Sequence, residues 1–232
     1  HVFQRGSRYL ERTKLMTQNH ATHPKLVHAI HGVSDDALEA MVALRQNVSL
    51  KSWSDMAAAV TAPELVAEVN AAGRAVVESL RVGGTILVAG NGGSASMSSH
   101  IAAEFVGKCI MDRAPLPSIS LADSSTSITA VGNGYGFDDV FVRGVQSVGR
   151  PGDVLIVMST SGNSQSILSA VDAAKDRGIV TIALTGATGG KLAGRADFVL
   201  RVPSNDIPRI QEVHLMWAHS WCEAVDLLSQ PQ

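Results

Sequence analysis

Hydrophobic positions fall into two regimes along this chain. Up to about Leu80 they recur at helical spacing. Ser34-Asp35-Asp36 offers an N-cap, and Leu38, Met41, Val42 and Leu44 follow on one side, which predicts a helix over 36–48. A further stretch, Trp53 to Val60, comes next. A second helix over 63–80 carries a stripe of Leu65, Val66, Val69, Ala72, Val76, Val77 and Leu80, and Gly83-Gly84 stops it. Beyond it, β-type runs at 85–89, 117–122, 153–158, 180–185 and 197–202 alternate with helical stretches at 95–107, 137–148, 164–177 and 209–228. Most of the runs are apolar throughout, as in strands covered on both faces. The alternation predicts an α/β fold: a doubly wound, five-stranded parallel sheet with right-handed crossovers, preceded by N-terminal helices. Gly186 to Gly194 reads as a turn and a short helix.

Two of the runs end in turns rich in small residues. Thr85 to Ala89 leads into Gly90-Asn91-Gly92-Gly93-Ser94, and Asp153 to Met158 leads into Ser159-Thr160-Ser161-Gly162-Asn163-Ser164. A strand that ends this way and opens a helix leaves backbone N–H groups free, with the positive end of the helix dipole behind them. Such a turn holds anions, phosphate above all. An ordinary N-cap needs one Ser or Thr; the second turn has four hydroxyls, which favours phosphate binding. Gly90 to Ala95 also satisfies the loose GxGxxA dinucleotide pattern, but the acidic residue that pattern wants some 20 positions on is missing, Asp123 being too distant. No Lys follows in the P-loop pattern.

Composition narrows the class. The chain has 232 residues, 45% hydrophobic and 17% charged, with a formal net charge of −2. That describes a well-packed globular protein with no electrostatic footprint for nucleic acid or an anionic membrane. Cys109 and Cys222 form no CxxC pair and read as buried thiols of a cytoplasmic protein. Residues 1–35 read as an N-terminal extension, partly vector-derived, with Met16 as the native start, and 36–232 as one domain. The extension carries Arg5, Arg8, Arg12, Lys14, His20, His23, His28 and His31 and reads as a solvated leader rather than a metal site.

The acid–base candidates sit on two of the helices. His100 and Glu104 are four apart on the helix opening at Ser94, beside a stripe of Met97, Ile101 and Phe105. On the last helix Gln211 and His219 are eight apart, beside Val213, Trp217, Ala224 and Leu228. As a set, two His, one Glu and one Gln could coordinate a divalent metal such as zinc. Glu104 and His219 could equally serve as a proton-transfer pair. His214 reads as a structural histidine, and Glu212 as a partner for Arg209.

These pieces together resemble the sugar isomerase (SIS) fold, flavodoxin-like in its winding, and within it the phosphoheptose isomerase family. The matching segments are Ala89 to Ser94, Ser99-His100-Ile101-Ala102-Ala103-Glu104-Phe105, Ala130-Val131-Gly132-Asn133, Ser159 to Ser164, Ala183-Leu184-Thr185-Gly186, and Arg209 to His214 with His219. The resemblance spans roughly residues 36–230. It implies an aldose–ketose isomerase acting on sedoheptulose 7-phosphate. Asn91, Gly92, Gly93, Ser94, Asn133 and Gln211 would hold the sugar, and Ser159, Thr160, Ser161 and Ser164 its phosphate. His100, Glu104, Gln211 and His219 would be the metal residues, with Zn2+ as the ion, and Glu104 and His219 the acid and base. It also implies a homotetramer with active sites between subunits. One departure matters: the family shows Asn-Asp before its aromatic-Gly turn, where this chain has Asn133-Gly134-Tyr135-Gly136. Asp123 or Asp138 is the nearest replacement, and a related octose phosphate is the alternative substrate. A non-catalytic SIS adaptor is the rival reading; such a relative keeps the serine loop but lacks the Glu and the final His that this chain has.

Overall fold

The computed structural model describes residues 32–230. The leader residues discussed above therefore lie outside the described residues up to His31. The chain divides into two compact units, one up to Lys51 and one from Ser52 onward.

Helix α1 (Asp35–Ala59) is longer than the apolar pattern suggested. Ser34 caps it, its Oγ accepting the Ala37 N–H at 3.3 Å. Leu38, Met41, Val42, Leu44, Val48, Leu50 and Trp53 along it are all exposed. Helix α2 (Pro63–Arg81) buries Val69, Ala72, Gly73 and Val76, whereas Val66 of the expected stripe is exposed. Gly83, at φ 84°, turns the chain out of it.

The sheet consists of β1 (Ile86–Gly90), β2 (Ser118–Ser120), β3 (Val154–Ser159), β4 (Val180–Thr185) and β5 (Phe198–Arg201). All pairings are parallel, in the order β2-β1-β3-β4-β5. Asp153 sets the register at its start, one carboxylate oxygen taking the Thr85 N–H at 2.7 Å and the other the Arg150 N–H at 2.8 Å. β1 and β3 are buried on both faces, and their side chains alternate between two cores. Ile86, Val88, Ile156 and Met158 pack with α2, α3 (Gly93–Val106) and α7 (Ile207–Leu228). Leu87, Ala89, Leu155 and Val157 pack with α5 (Val142–Val148) and α6 (Gln165–Lys175).

Three stretches differ from the sequence pattern. Ser125–Gly134 is a helix, α4, despite its Ser, Thr and Gly content; Ser124 caps it by accepting the Ser127 N–H at 3.1 Å. The helix expected over 137–148 splits into a 3-10 turn at Phe137–Asp139 and α5. On α7 the buried face runs through Val213, Trp217, Ala218, Trp221, Cys222 and Val225, whereas Leu228 is exposed. Gly186 to Gly194 contains a 3-10 turn at Gly190–Gly194.

Candidate active site

The strand order reverses at β1, which has β2 on one side and β3 on the other. In a doubly wound sheet, the crevice beyond the strand ends at that reversal is where ligands bind. Both small-residue turns open there. Gly90 and Met158 are register partners, so the turn after β1 and the turn after β3 stand side by side. Asn91 Nδ2 donates to Ser166 Oγ at 3.0 Å and ties them together. Within the second turn Ser159 Oγ donates to Ser164 Oγ at 3.3 Å, and Ser161 Oγ accepts the Asn163 N–H at 3.2 Å. Ser161 and Asn163 are exposed, Thr160 and Ser164 half-buried and Ser159 buried. Gly162 makes the turn possible: its φ is +66°, and a Cβ there would lie 2.1 Å from the Gly189 carbonyl oxygen. The turn is thus backed by the backbone of the turn after β4, with the Leu192 N–H donating to the Gly162 carbonyl at 3.1 Å.

Helices α3 and α7 run side by side in the same direction and meet at three levels. At the first, Gln211 lies over the N-terminus of α3, where a Cβ on Gly93 would come within 2.8 Å of its Nε2. At the second, His100 Nε2 and His219 Nε2 are 2.9 Å apart, and the rings meet edge-on at 72°. His100 Nε2 is also 3.5 Å from Glu104 Oε1. At the third, the carboxylate of Asp226 receives the chain that follows α3. Gln211 and His219 are therefore separated by a rise of about 12 Å along α7.

The other sequence candidates are scattered. Asn133, on the last turn of α4, is exposed and makes none of the hydrogen bonds that link the two turns. The Asp123 carboxylate accepts the Ser99 hydroxyl on α3. Arg209 donates to Glu212 Oε1 at 2.6 Å. His214 is fully buried, its Nε2–H donating to the Thr185 carbonyl at 3.1 Å. Burial pulls its pKa down to about 4, against the smaller raising effect of that hydrogen bond. Ser166, Arg113 and Asp226 are site-supporting residues that pattern reading missed. Asp226 alone left a signal: a carboxylate in helical register with the buried Cys222 and Val225.

A family model described as SIS domain matches residues 51–186. A phosphoheptose isomerase of Rhodospirillum rubrum is 49% identical over 151 residues, which is 65% of this chain and 80% of the relative. The chain belongs to the phosphoheptose isomerase family. Its chemistry is that of a sugar-phosphate isomerase. The solved phosphoheptose isomerase of Neisseria gonorrhoeae shares 37% identity at a TM-score of 0.72, covering 82% of this chain and 99% of its own. That of Francisella tularensis shares 38% identity at a TM-score of 0.74, covering 79% and 97%.

The donor set suits zinc. One ligand atom from each of His100, Glu104 and His219 lies within 4.8 Å of the other two. Imidazole nitrogens and a carboxylate oxygen are ordinary zinc ligands, and two of them on one tetrahedral ion stand about 3.3 Å apart. The two imidazole Nε2 atoms stand 2.9 Å apart, at hydrogen-bond distance, and would have to separate by about 0.4 Å to share the ion.

Proposed function

We propose that this enzyme interconverts sedoheptulose 7-phosphate and D-glycero-D-manno-heptose 7-phosphate through a cis-enediol(ate), with Glu104 and His219 as the acid–base pair. The meeting of Glu104, His100 and His219 across two helices carries this reading. A non-catalytic adaptor has no use for a carboxylate and an imidazole converging in this way. Starting from the ketose, Glu104 takes a proton from carbon 1, and carbon 1 becomes double-bonded to carbon 2. His219 supplies a proton to the carbonyl oxygen on carbon 2 and takes one from the hydroxyl on carbon 1. Glu104 then returns its proton to carbon 2, which completes the aldose. An imidazole suits this shuttle because one ring nitrogen can give a proton while the other accepts one. His100, Glu104 and His219, with Gln211 as the fourth expected metal residue although it lies about 12 Å along α7 from His219, would hold zinc, which when bound supplies Lewis-acid polarisation of the substrate carbonyl. Asn91, Gly92, Gly93, Ser94, Asn133 and Gln211 are assigned to the sugar, and Ser159, Thr160, Ser161 and Ser164 to the phosphate.

The two ends of this site argue for assembly. Glu104 lies about 16 Å along α3 from Gly93, farther than an extended seven-carbon sugar phosphate reaches. A substrate with its phosphate in the 159–164 turn therefore meets a Glu104 and His219 supplied by a neighbouring copy. The exposed apolar residues along α1 are the kind of surface that association covers. We accordingly propose a homotetramer with its sites between subunits. Among the described residues no helix is long and apolar enough to cross a membrane, and the two free thiols fit a cytoplasmic setting.

Gly134 bears on chain length. A Cβ there would meet nothing within 4 Å, so the position is open space where the family resemblance implies a carboxylate. An octose phosphate is the alternative substrate that this opening favours. The test is turnover of seven- and eight-carbon ketose phosphates, with exchange of the carbon-1 proton followed in deuterium oxide. Heptose turnover with solvent exchange is expected; no isomerisation of any phosphorylated ketose would overturn the reading. Replacing Ser161 by Ala should raise KM roughly tenfold, the worth of a hydrogen bond to an anion, and change kcat little. An unaltered KM would remove the turn from phosphate binding.

A further inference from the structure

The third level of contact between α3 and α7 is built from charge buried in the protein interior. The side chains of Arg113 and Asp226 are 1% and 0% exposed, and Arg113 Nε donates to Asp226 Oδ1 at 2.7 Å. The second oxygen of Asp226 accepts three consecutive backbone N–H groups, those of Cys109, Ile110 and Met111, at 2.8, 2.7 and 3.0 Å. Burial works to raise the Asp226 pKa, but these N–H groups and Arg113 outweigh it and hold the carboxyl below its ordinary value. Arg113 turns its remaining donors to the end of α3 and to the Ala114 carbonyl, which Nη1 reaches at 3.1 Å. Its Nη2 donates to the Glu104 carbonyl and its Nη1 to the Phe105 carbonyl, each at 2.8 Å, and Nη1 also reaches the Gly107 carbonyl at 3.2 Å. These are carbonyls that a helix C-terminus leaves without intrahelical partners.

The placement is specific. Arg113 bonds the backbone of Glu104 itself, and Asp226 lies two turns beyond His219 on α7. Fixing the end of α3 to α7 at this point fixes the Glu104 backbone relative to the helix that carries His219. A second link runs through Cys109, whose N–H Asp226 holds.

We infer that Arg113 and Asp226 are positioning residues: the buried pair sets the separation of Glu104 and His219, and with it the geometry of the reacting end. The inference rests on the proposed acid–base roles of Glu104 and His219. Its consequence is selective, because the phosphate turn after β3 makes no contact with this pair in the hydrogen bonds described above. Loss of the pair should damage turnover and metal binding while leaving affinity for the phosphate alone.

The test compares Asp226→Asn, which keeps the shape and loses the charge, with Val145→Ala, a buried change on α5 across the sheet. Arg113→Lys, which keeps the charge and loses the planar fork, is the second variant should Asp226→Asn fail to fold. The assembled protein is assayed for kcat and KM, and is titrated with Co2+ alone while its visible absorption is recorded. Asp226→Asn or Arg113→Lys is expected to lower kcat at least tenfold, to move KM less than twofold, and to weaken Co2+ binding roughly 10–100-fold. Val145→Ala, at a similar loss in Tm, should leave kcat and the Co2+ titration unchanged. Equal effects from Val145→Ala and the pair variants would overturn the inference. The Co2+ titration also separates the two readings: if Glu104→Gln left turnover intact, the acid–base roles would fall, while altered Co2+ binding in Asp226→Asn would still report positioning.

Discussion

Glu104→Gln is expected to lower kcat by ~10²–10⁴-fold, the usual contribution of a positioned general base, with KM for the sugar phosphate little changed. The substitution keeps the size of the side chain and removes the carboxylate that would accept the carbon-bound proton and help hold the metal. Glu104 is half-buried, with His100 Nε2 3.5 Å from its Oε1. In the proposed assembly the phosphate turn that holds the same substrate belongs to a neighbouring copy, so remote binding energy should survive and the loss should fall on the chemical step. Steady-state kinetics in both directions, with carbon-1 proton exchange as a separate readout, would check this. Exchange at the natural rate in the variant would take Glu104 out of the mechanism.

A comparable effect is expected on stability in acid, from a histidine that takes no part in the chemistry. His214 is fully buried, and burial draws its pKa down to about 4, from an unfolded value near ~6.5. The folded state therefore prefers the neutral ring. Its contribution is intact above the unfolded value and is lost as the pH falls from there towards 4. Across that window the loss approaches about 3 kcal/mol. Urea unfolding at pH 7 and pH 4, at one protein concentration, should show the natural chain losing that much more stability than His214→Gln, which can still donate to the Thr185 carbonyl but does not titrate. Acid losses from Asp226 occur in both proteins and cancel in the comparison. Identical losses in both would show that protonating His214 costs the fold nothing.

The sheet was legible because β1 and β3 are covered on both faces and so read as unbroken apolar runs. The same two strands carried the turns, and their adjacency at the strand reversal needed only the strand order. Helix α4 was hidden because Ser125-Thr126-Ser127-Ile128-Thr129 is poor helix-forming sequence; Ser124 as a cap was the only local sign. The extent of α1 was hidden for the opposite reason, since its apolar residues are exposed and its periodicity says little about what it packs on. His100, Glu104 and His219 were legible as helix-face pairs, but their meeting depends on α3 and α7 lying side by side, which no local pattern encodes. Arg113 was beyond reach for the same cause: its partners are the carbonyls of a helix end and a carboxylate more than a hundred residues away.

The turn after β3 contains Ser, Thr, Gly and Asn and no group that gains or loses a proton near neutrality. A phosphate received there meets hydroxyls, amides and a helix end, whose pull is the same at pH 6 as at pH 9. Within the turn itself, ionisation belongs to the ligand, whose second proton leaves near ~6. Above that value, then, the turn itself contributes no limb to a bell-shaped rate profile.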